Sequence, residues 1–184
     1  MSVDNSSQDP AERKSAIKKR HQQAADEVVP EHRQLYIGGE WVPSDSGETF
    51  ETTDPTTGET LAEVQAGNAA DIDRAVAAAW EAYEGTYSDF STAQRQSMLE
   101  SMADIVADHK EEFARLESLD NGKPITEARI DMGLVEDHFR YFAGIARAHE
   151  GETVNTDDSR HVQTLQEPYG VVGQIIPWNF PLLM

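Results

Sequence analysis

The stretch GVVGQIIPWNFPLLM, residues 170–184, decides how the fold is read. Val171, Val172, Ile175 and Ile176, interrupted by Gly173, form a continuous apolar run. That is the pattern of a central strand in a parallel sheet, buried on both faces. Pro177 fixes φ and offers no amide proton, so the run is expected to end there in a turn. Trp178, Asn179 and Phe180 then lie between two prolines at the carboxyl end of the strand, which is where ligands meet an open α/β sheet. Natural termini are usually polar and frayed, whereas this one ends on its densest apolar segment with nothing after Met184 to cover it, as an interrupted chain would.

The segment before it, 151–170, changes period. Val162, Thr164 and Gln166 fall on one side of an expected strand, and His161, Gln163 and Leu165 on the other. Neither side is apolar enough to be buried, so the strand is either a surface hairpin or an edge that pairs with a second copy.

Further upstream, LYIGGEWV at 35–42 reads as a hairpin around Gly38 and Gly39. TTDPTTG at 52–58 is turn chemistry, and ETLAEVQAG after it supplies another short strand. Asp71 is expected to cap a helix running to about Glu84, with Ile72, Val76, Trp80 and Tyr83 on one face and Trp80 as a core anchor. A second helix is expected from Ser91 or Thr92. Its apolar stripe, from Leu99 through Val106 and Phe113 to Leu119, continues to LDNGKP, where Gly122 and Pro124 stop it. A third is expected from about Ile125 to Ala148, with Met132, Val135, Phe139, Phe142 and Ala146 on its inner face.

Composition narrows the function classes. The chain has 184 residues and 38% hydrophobic content, enough for a folded core. Thirty-four acidic residues against 15 basic ones give a net charge of -19, which repels nucleic acid and anionic membrane. Only five of the basic residues are lysines. Such a surface suits concentrated salt, where screening shortens to ~3 Å at 1 M, and the expectation is a halophilic cytoplasm. No segment approaches the roughly 20 apolar residues of a membrane span, and the N-terminus lacks the apolar core of a secretory signal. The run Lys14, Lys18, Lys19 and Arg20 reads most simply as a solvated, partly frayed helix, with an amphipathic address or a binding arm as alternatives.

With no cysteine, these residues hold no disulfide, no thiolate metal site and no thiol nucleophile. His109, His138, His149 and His161 are scattered without metal-ligand spacing. Glu117 and Asp120, three residues apart, would set like charges together with no nucleophile to serve; Asp120 and Asn121 are expected to bond the turn amides around Gly122. Gly170 and Gly173 lack the third glycine of a dinucleotide fingerprint. Asn179 is the informative polar group. A neutral amide donor can stabilise an oxygen that becomes an anion in a tetrahedral intermediate, although spacing alone leaves open an asparagine satisfied within its own turn.

EPYGVVGQIIPWNFPLLM resembles the stretch that opens the dinucleotide-binding sheet of the NAD(P)-dependent aldehyde dehydrogenase superfamily. The order of LYIGGEW, DPTTGE, LESLDNGKP and RYFAGIA is similar to that family's N-terminal region, over about residues 33–184. PWNFP and LDNGKP carry most of the likeness. The implied fold is α/β, the N-terminal part of a Rossmann-like domain, incomplete, with part of a β oligomerisation arm. Its expected divisions are a polar, partly disordered leader at 1–34, a hairpin and helices at 35–150, arm strands at 151–169, and the first strand with the start of the cleft at 170–184.

By the same resemblance Asn179 helps form an oxyanion hole, and Ile175, Ile176, Pro177, Trp178 and Asn179 line the cofactor cleft. Phe180 and Met184 line the aldehyde tunnel. NAD or NADP is the implied cofactor and an aldehyde the implied substrate. A homo-oligomer is implied when the enzyme is complete. The family's cysteine nucleophile and general-base glutamate lie beyond its PWNFP motif, so the chain alone is expected to be inactive. It would be a fragment, half of a split enzyme completed by a second chain, or a non-catalytic assembly subunit.

Overall fold

The computed structural model describes residues 9–184. Helix α1 (Pro10–Val28) starts at Asp9, whose side chain accepts the Ala11 amide at 3.3 Å, with Pro10 in the first turn. So the described part of the supposed leader is largely helix. Its Ala25 and Val28 are buried against Leu119, so the helix is docked at its C-terminal end rather than solvated throughout. Residues 1–8 lie outside the described residues.

Strands β1 (Leu35–Ile37) and β2 (Glu40–Val42) pair antiparallel. Gly38 and Gly39 both take positive φ, at 64° and 85°, which a two-residue hairpin of the mirror-image type requires. Strands β3 (Thr49–Thr53) and β4 (Thr60–Gln65) form a second antiparallel pair with an irregularity at Thr52 and Thr53. Their turn is organised by Asp54, which accepts Thr56 N at 2.8 Å and Thr57 Oγ1 at 2.9 Å. Asp54 is almost fully buried, and His21 Nδ1 of α1 lies 2.6 Å from its Oδ2, which ties the first helix to this turn.

Helix α2 (Ala69–Ala82) begins two residues before the expected cap. Asn68 Oδ1 accepts the amides of Ala70 and Asp71, and Asp71 Oδ2 accepts the Asn68 amide at 2.9 Å. Asp71 is thus the third residue of a reciprocal capping box. A single wide turn, Tyr83–Tyr87, follows α2. Trp80 is half-exposed, contrary to the expected core anchor. Its ring instead seats the returning chain at Gly170, where an added Cβ would come within 2.9 Å of the indole.

The stripe expected as one helix is two, α3 (Thr92–Asp108) and α4 (Lys110–Asn121). They break at His109, whose φ of -107° and ψ of 16° leave the helical region. No Gly or Pro marks the break. Helix α5 (Ile125–Ile145) packs along both. Val106, Ala114, Ala128, Met132 and Val135 form the main core, with Phe113, Ile125, Phe139 and Leu183 packed against it. The inner face of α5 ends on buried Ala143, whereas Phe142 is exposed and Ala146 only half-buried. Arg140 joins α5 to Asp104 of α3 at 3.0 Å, and Arg129 grips Glu111 of α4 with two hydrogen bonds of 2.7 and 2.8 Å.

Beyond α5, β5 (Thr153–Val154) and β6 (Val162–Gln163) make a short antiparallel hairpin exposed on both faces. Residues 170–176 form no strand. Every sheet among the described residues is a two-stranded antiparallel pair. A central parallel strand needs hydrogen-bonding neighbours on both sides, and the described chain offers none there.

Candidate functional site

The PWNFP turn sits where two structural lines converge. The first is the turn between α4 and α5. Gly122 closes α4 with a φ of 77°, and a Cβ there would lie 2.9 Å from Pro55 Cγ, so glycine is required by both backbone and packing. Asn121 Oδ1 accepts the Lys123 amide at 2.9 Å, and Ser118 Oγ donates to the Lys123 carbonyl at 2.6 Å. The expected role of Asn121 in this turn is therefore realised. Asp120 instead accepts a hydrogen bond from Thr52 Oγ1 at 2.7 Å and fastens the β3–β4 hairpin to the end of α4.

The second line is the side chain of Lys123. Its ammonium donates to Glu117 Oε1 of α4, to Asp131 Oδ2 of α5, and to the main-chain oxygen of Asn179 at 2.6 Å. It also stands 4.4 Å from the centre of the Phe180 ring. Lys123, Glu117 and Asp131 are all largely buried. Burial opposes the charge on Lys123, but the hydrogen bonds it donates to Asp131 and Glu117, with their negative charges, hold its pKa above the ordinary lysine value. Glu117 Oε2 is buried with no hydrogen-bond partner among the described residues.

Around this anchor the expected site residues divide into two groups. Asn179 and Phe180 are half-buried and drawn to Lys123. The Phe180 amide closes the turn by donating to the Pro177 carbonyl at 3.0 Å, and the Met184 amide donates to the Phe180 carbonyl at 3.3 Å. The turn is thus held through main-chain groups. Ile175, Ile176, Pro177, Trp178 and Met184 are exposed, with Trp178 at 79%. Beneath the segment, a largely apolar cavity of about 360 Å³ opens between residues 29–33 after α1, the β3–β4 hairpin and α4, with Pro181 and Leu182 at its edge.

Glu117, for which the sequence offers no nucleophile to serve, has a structural role as a partner of Lys123. Spacing in the sequence does not by itself single out Lys123. The available signal is the placement of Glu117 on the helix face that carries Phe113 and Ala114, and of Asp131 on the face that carries Ala128 and Val135. A carboxylate on a buried stripe needs a cation.

The chain is similar to known proteins over most of its length. The model of the aldehyde dehydrogenase family matches residues 41–184. Benzaldehyde dehydrogenase, mitochondrial, of Antirrhinum majus is 46% identical over 159 residues, which is 85% of this chain and 30% of that protein. Acetaldehyde dehydrogenase 2 of Cupriavidus necator is 46% identical over 150 residues, 81% of this chain and 29% of that one. Among solved structures, an NAD+ complex of aldehyde dehydrogenase from Bacillus cereus superposes with a TM-score of 0.82 at 41% identity, covering 86% of this chain and 33% of that chain. Betaine aldehyde dehydrogenase from Staphylococcus aureus, also solved with NAD+, gives 0.83 at 36% identity, covering 89% and 33%. This chain therefore spans about 30% of the length of such relatives. A family match that takes in the α4–α5 turn, Lys123 and the PWNFP turn together leaves one conclusion: the chain belongs to the aldehyde dehydrogenase family.

Proposed function

We propose that these residues form the N-terminal part of an NAD(P)-dependent aldehyde dehydrogenase, which oxidises an aldehyde to a carboxylic acid: a hydride passes to the nicotinamide, water supplies the second oxygen and a proton is released. The observation that carries this reading is the PWNFP turn fixed by its main chain, with the Asn179 side chain left to act on a ligand, in a chain of this family. When the aldehyde carbon becomes tetrahedral, the Asn179 amide donates to its oxygen and stabilises the developing charge. The surface of Ile175, Ile176, Pro177 and Trp178 fits a flat cofactor ring, because it offers an exposed indole and an adjoining apolar backbone. The NAD+ bound in the two related structures supports the same choice of cofactor. Phe180 and Met184 supply apolar wall to the aldehyde. The nucleophile must come from outside these residues, since they contain no cysteine.

Residues 151–169 serve as part of an oligomerisation arm in this reading, since the β5–β6 hairpin presents unpaired exposed edges. The acidic surface and net charge of -19 support a cytoplasm rich in salt. One observation favours a second reading, a split enzyme or assembly subunit: Tyr169, Ile175 and Trp178 stand open to a partner chain.

Two measurements test these readings. The intact mass of the native product separates them: a value near 20.4 kDa with a co-purifying second chain supports the split enzyme, and a value more than twice that supports a single longer one. In the catalytically complete protein, Asn179→Ala is expected to lower kcat by about 10²–10³-fold with little change in cofactor affinity. Unchanged acylation and turnover would remove Asn179 from the chemical step.

A further inference from the structure

Residues 171–184 have few ties to the rest of the molecule. Leu183 packs against the Met132 cluster, and among the described residues one side-chain hydrogen bond reaches this segment from elsewhere, that of Lys123 to the Asn179 carbonyl. The three oxygens that receive the ammonium protons come from α4, from α5 and from the turn itself. Three acceptors on three separate elements triangulate one nitrogen. The root of the side chain is equally fixed, because the Lys123 backbone is bonded on both sides to Asn121 and Ser118.

Stability alone does not account for this arrangement. Two buried carboxylates on one ammonium leave a net negative charge in a poorly solvated place, and Glu117 Oε2 has no hydrogen-bond partner among the described residues. Well-packed apolar side chains are often as stabilising as such a cluster, or more so. What apolar side chains cannot supply is a directed bond to a main-chain oxygen. The Asn179 carbonyl and the Asn179 side chain hang from the same residue, so fixing the first constrains where the second can aim.

We propose that Lys123, clamped between Glu117 and Asp131, is the positioning residue for Asn179: by holding its carbonyl and the Phe180 ring, it aims the amide donor at the reacting oxygen and sets the adjoining tunnel wall. The inference rests on the proposed role of Asn179. Lys123 itself touches neither substrate nor cofactor in this arrangement. Its effect therefore passes through Asn179 and falls on the chemical step, since a small displacement of a preorganised donor weakens transition-state stabilisation more than ground-state binding.

The test uses the native product at its full encoded length, with Lys123→Met, Asn179→Ala and the double variant. Lys123→Met is expected to reduce kcat by about tenfold or more, leaving the cofactor KM unchanged. In the Asn179→Ala background the same change should have almost no further effect on kcat, because the donor that Lys123 aims is gone. Amide hydrogen exchange in peptides covering 177–184 should accelerate in Lys123→Met while α3 and α5 keep their protection. Folded Lys123→Met with wild-type kcat and exchange overturns the inference. So does a loss that multiplies in full with that of Asn179→Ala, which would mark a general structural role. If Lys123→Met does not fold, Asp131→Asn removes one side of the clamp at constant size and should lower kcat in the same direction; unchanged turnover and exchange there also overturn the proposal. Should Asn179→Ala alone leave turnover intact, the oxyanion role fails, while the exchange measurement still decides whether Lys123 tethers the turn.

Discussion

Ala128 lies on the apolar face of a helix and Ile175 on a continuous apolar run, yet Ala128 is fully buried and Ile175 is 102% exposed. The first belongs to α5, whose inner face meets α3 and α4 within the same chain. The second belongs to the segment after the β5–β6 hairpin, where Tyr169, Val172 and Trp178 are exposed as well. Similar hydrophobic content therefore has opposite fates in the two regions. The helical layer is satisfied locally, because a helix makes its own hydrogen bonds and needs only one face covered. A parallel strand is satisfied only by neighbours, which supply both its hydrogen bonds and its two covers. Between these regimes lies the PWNFP turn, exposed at Pro177 and Trp178 but held at Asn179 and Phe180, and by Leu183 just after it.

The sharpest way to break this contrast is to remove the residue that knits the helical layer together. Met132 is fully buried at the centre of the main core, between residues of α3, α4 and α5. Met132→Ala should cost about 2–5 kcal/mol, the transfer term of the lost side chain plus the cavity it leaves. Denaturant melts of the two proteins under one condition check this. A loss below about 1 kcal/mol would mean that the helices are not packed around it.

What could be read from the sequence follows the same division. The hairpin at Gly38 and Gly39, the Asp54 turn, the cap at Ser91 and the stop at Gly122 were legible because each is set by side chains a few residues apart. The Asn68 cap was misplaced by a short step, since Asp71 is also a cap-like residue and only its bond back to the Asn68 amide decides between them. The break at His109 carries no Gly or Pro, and the seat of Trp80 against Gly170 joins residues about half the chain apart. Neither has a local signature. The candidate site divides likewise. Asn179 was visible through its motif, whereas Lys123 acts on a carbonyl 56 residues away.

A smaller effect tests how the β3–β4 hairpin joins the packed region. Burial alone would raise the pKa of Asp54, but the hydrogen bonds from Thr56, Thr57 and His21 hold it below the ordinary aspartate value. A carboxylate with a lowered folded pKa contributes stability above its unfolded value of about 4, and that contribution disappears as pH falls through the folded value. Asp54→Asn places an amide NH2 where Oδ2 now receives Thr57 and faces His21, so two donors lose their acceptor. The expected cost is about 2 kcal/mol at pH 7. The difference between the two proteins should shrink below pH 4. A difference independent of pH down to pH 2 would show that the ionised form of Asp54 does not hold the turn.

The smallest expected change in stability lies in the open region, at Trp178. Its indole is 79% exposed, so Trp178→Ala should change the stability of the described fold by less than about 0.5 kcal/mol, despite removing the largest side chain of the segment. The same substitution in the catalytically complete protein should weaken cofactor binding by up to about tenfold, since a flat aromatic contact contributes about 0.5–1.5 kcal/mol. Titration of NAD+ against wild type and variant, beside a melt of each, separates the two quantities. A large stability loss with unchanged affinity would place the indole in a packed core and remove it from the cofactor wall. The expected pairing, unchanged stability with weakened binding, requires an apolar surface that the fold itself leaves uncovered, and within residues 170–184 that surface is concentrated around Ile175 and Trp178.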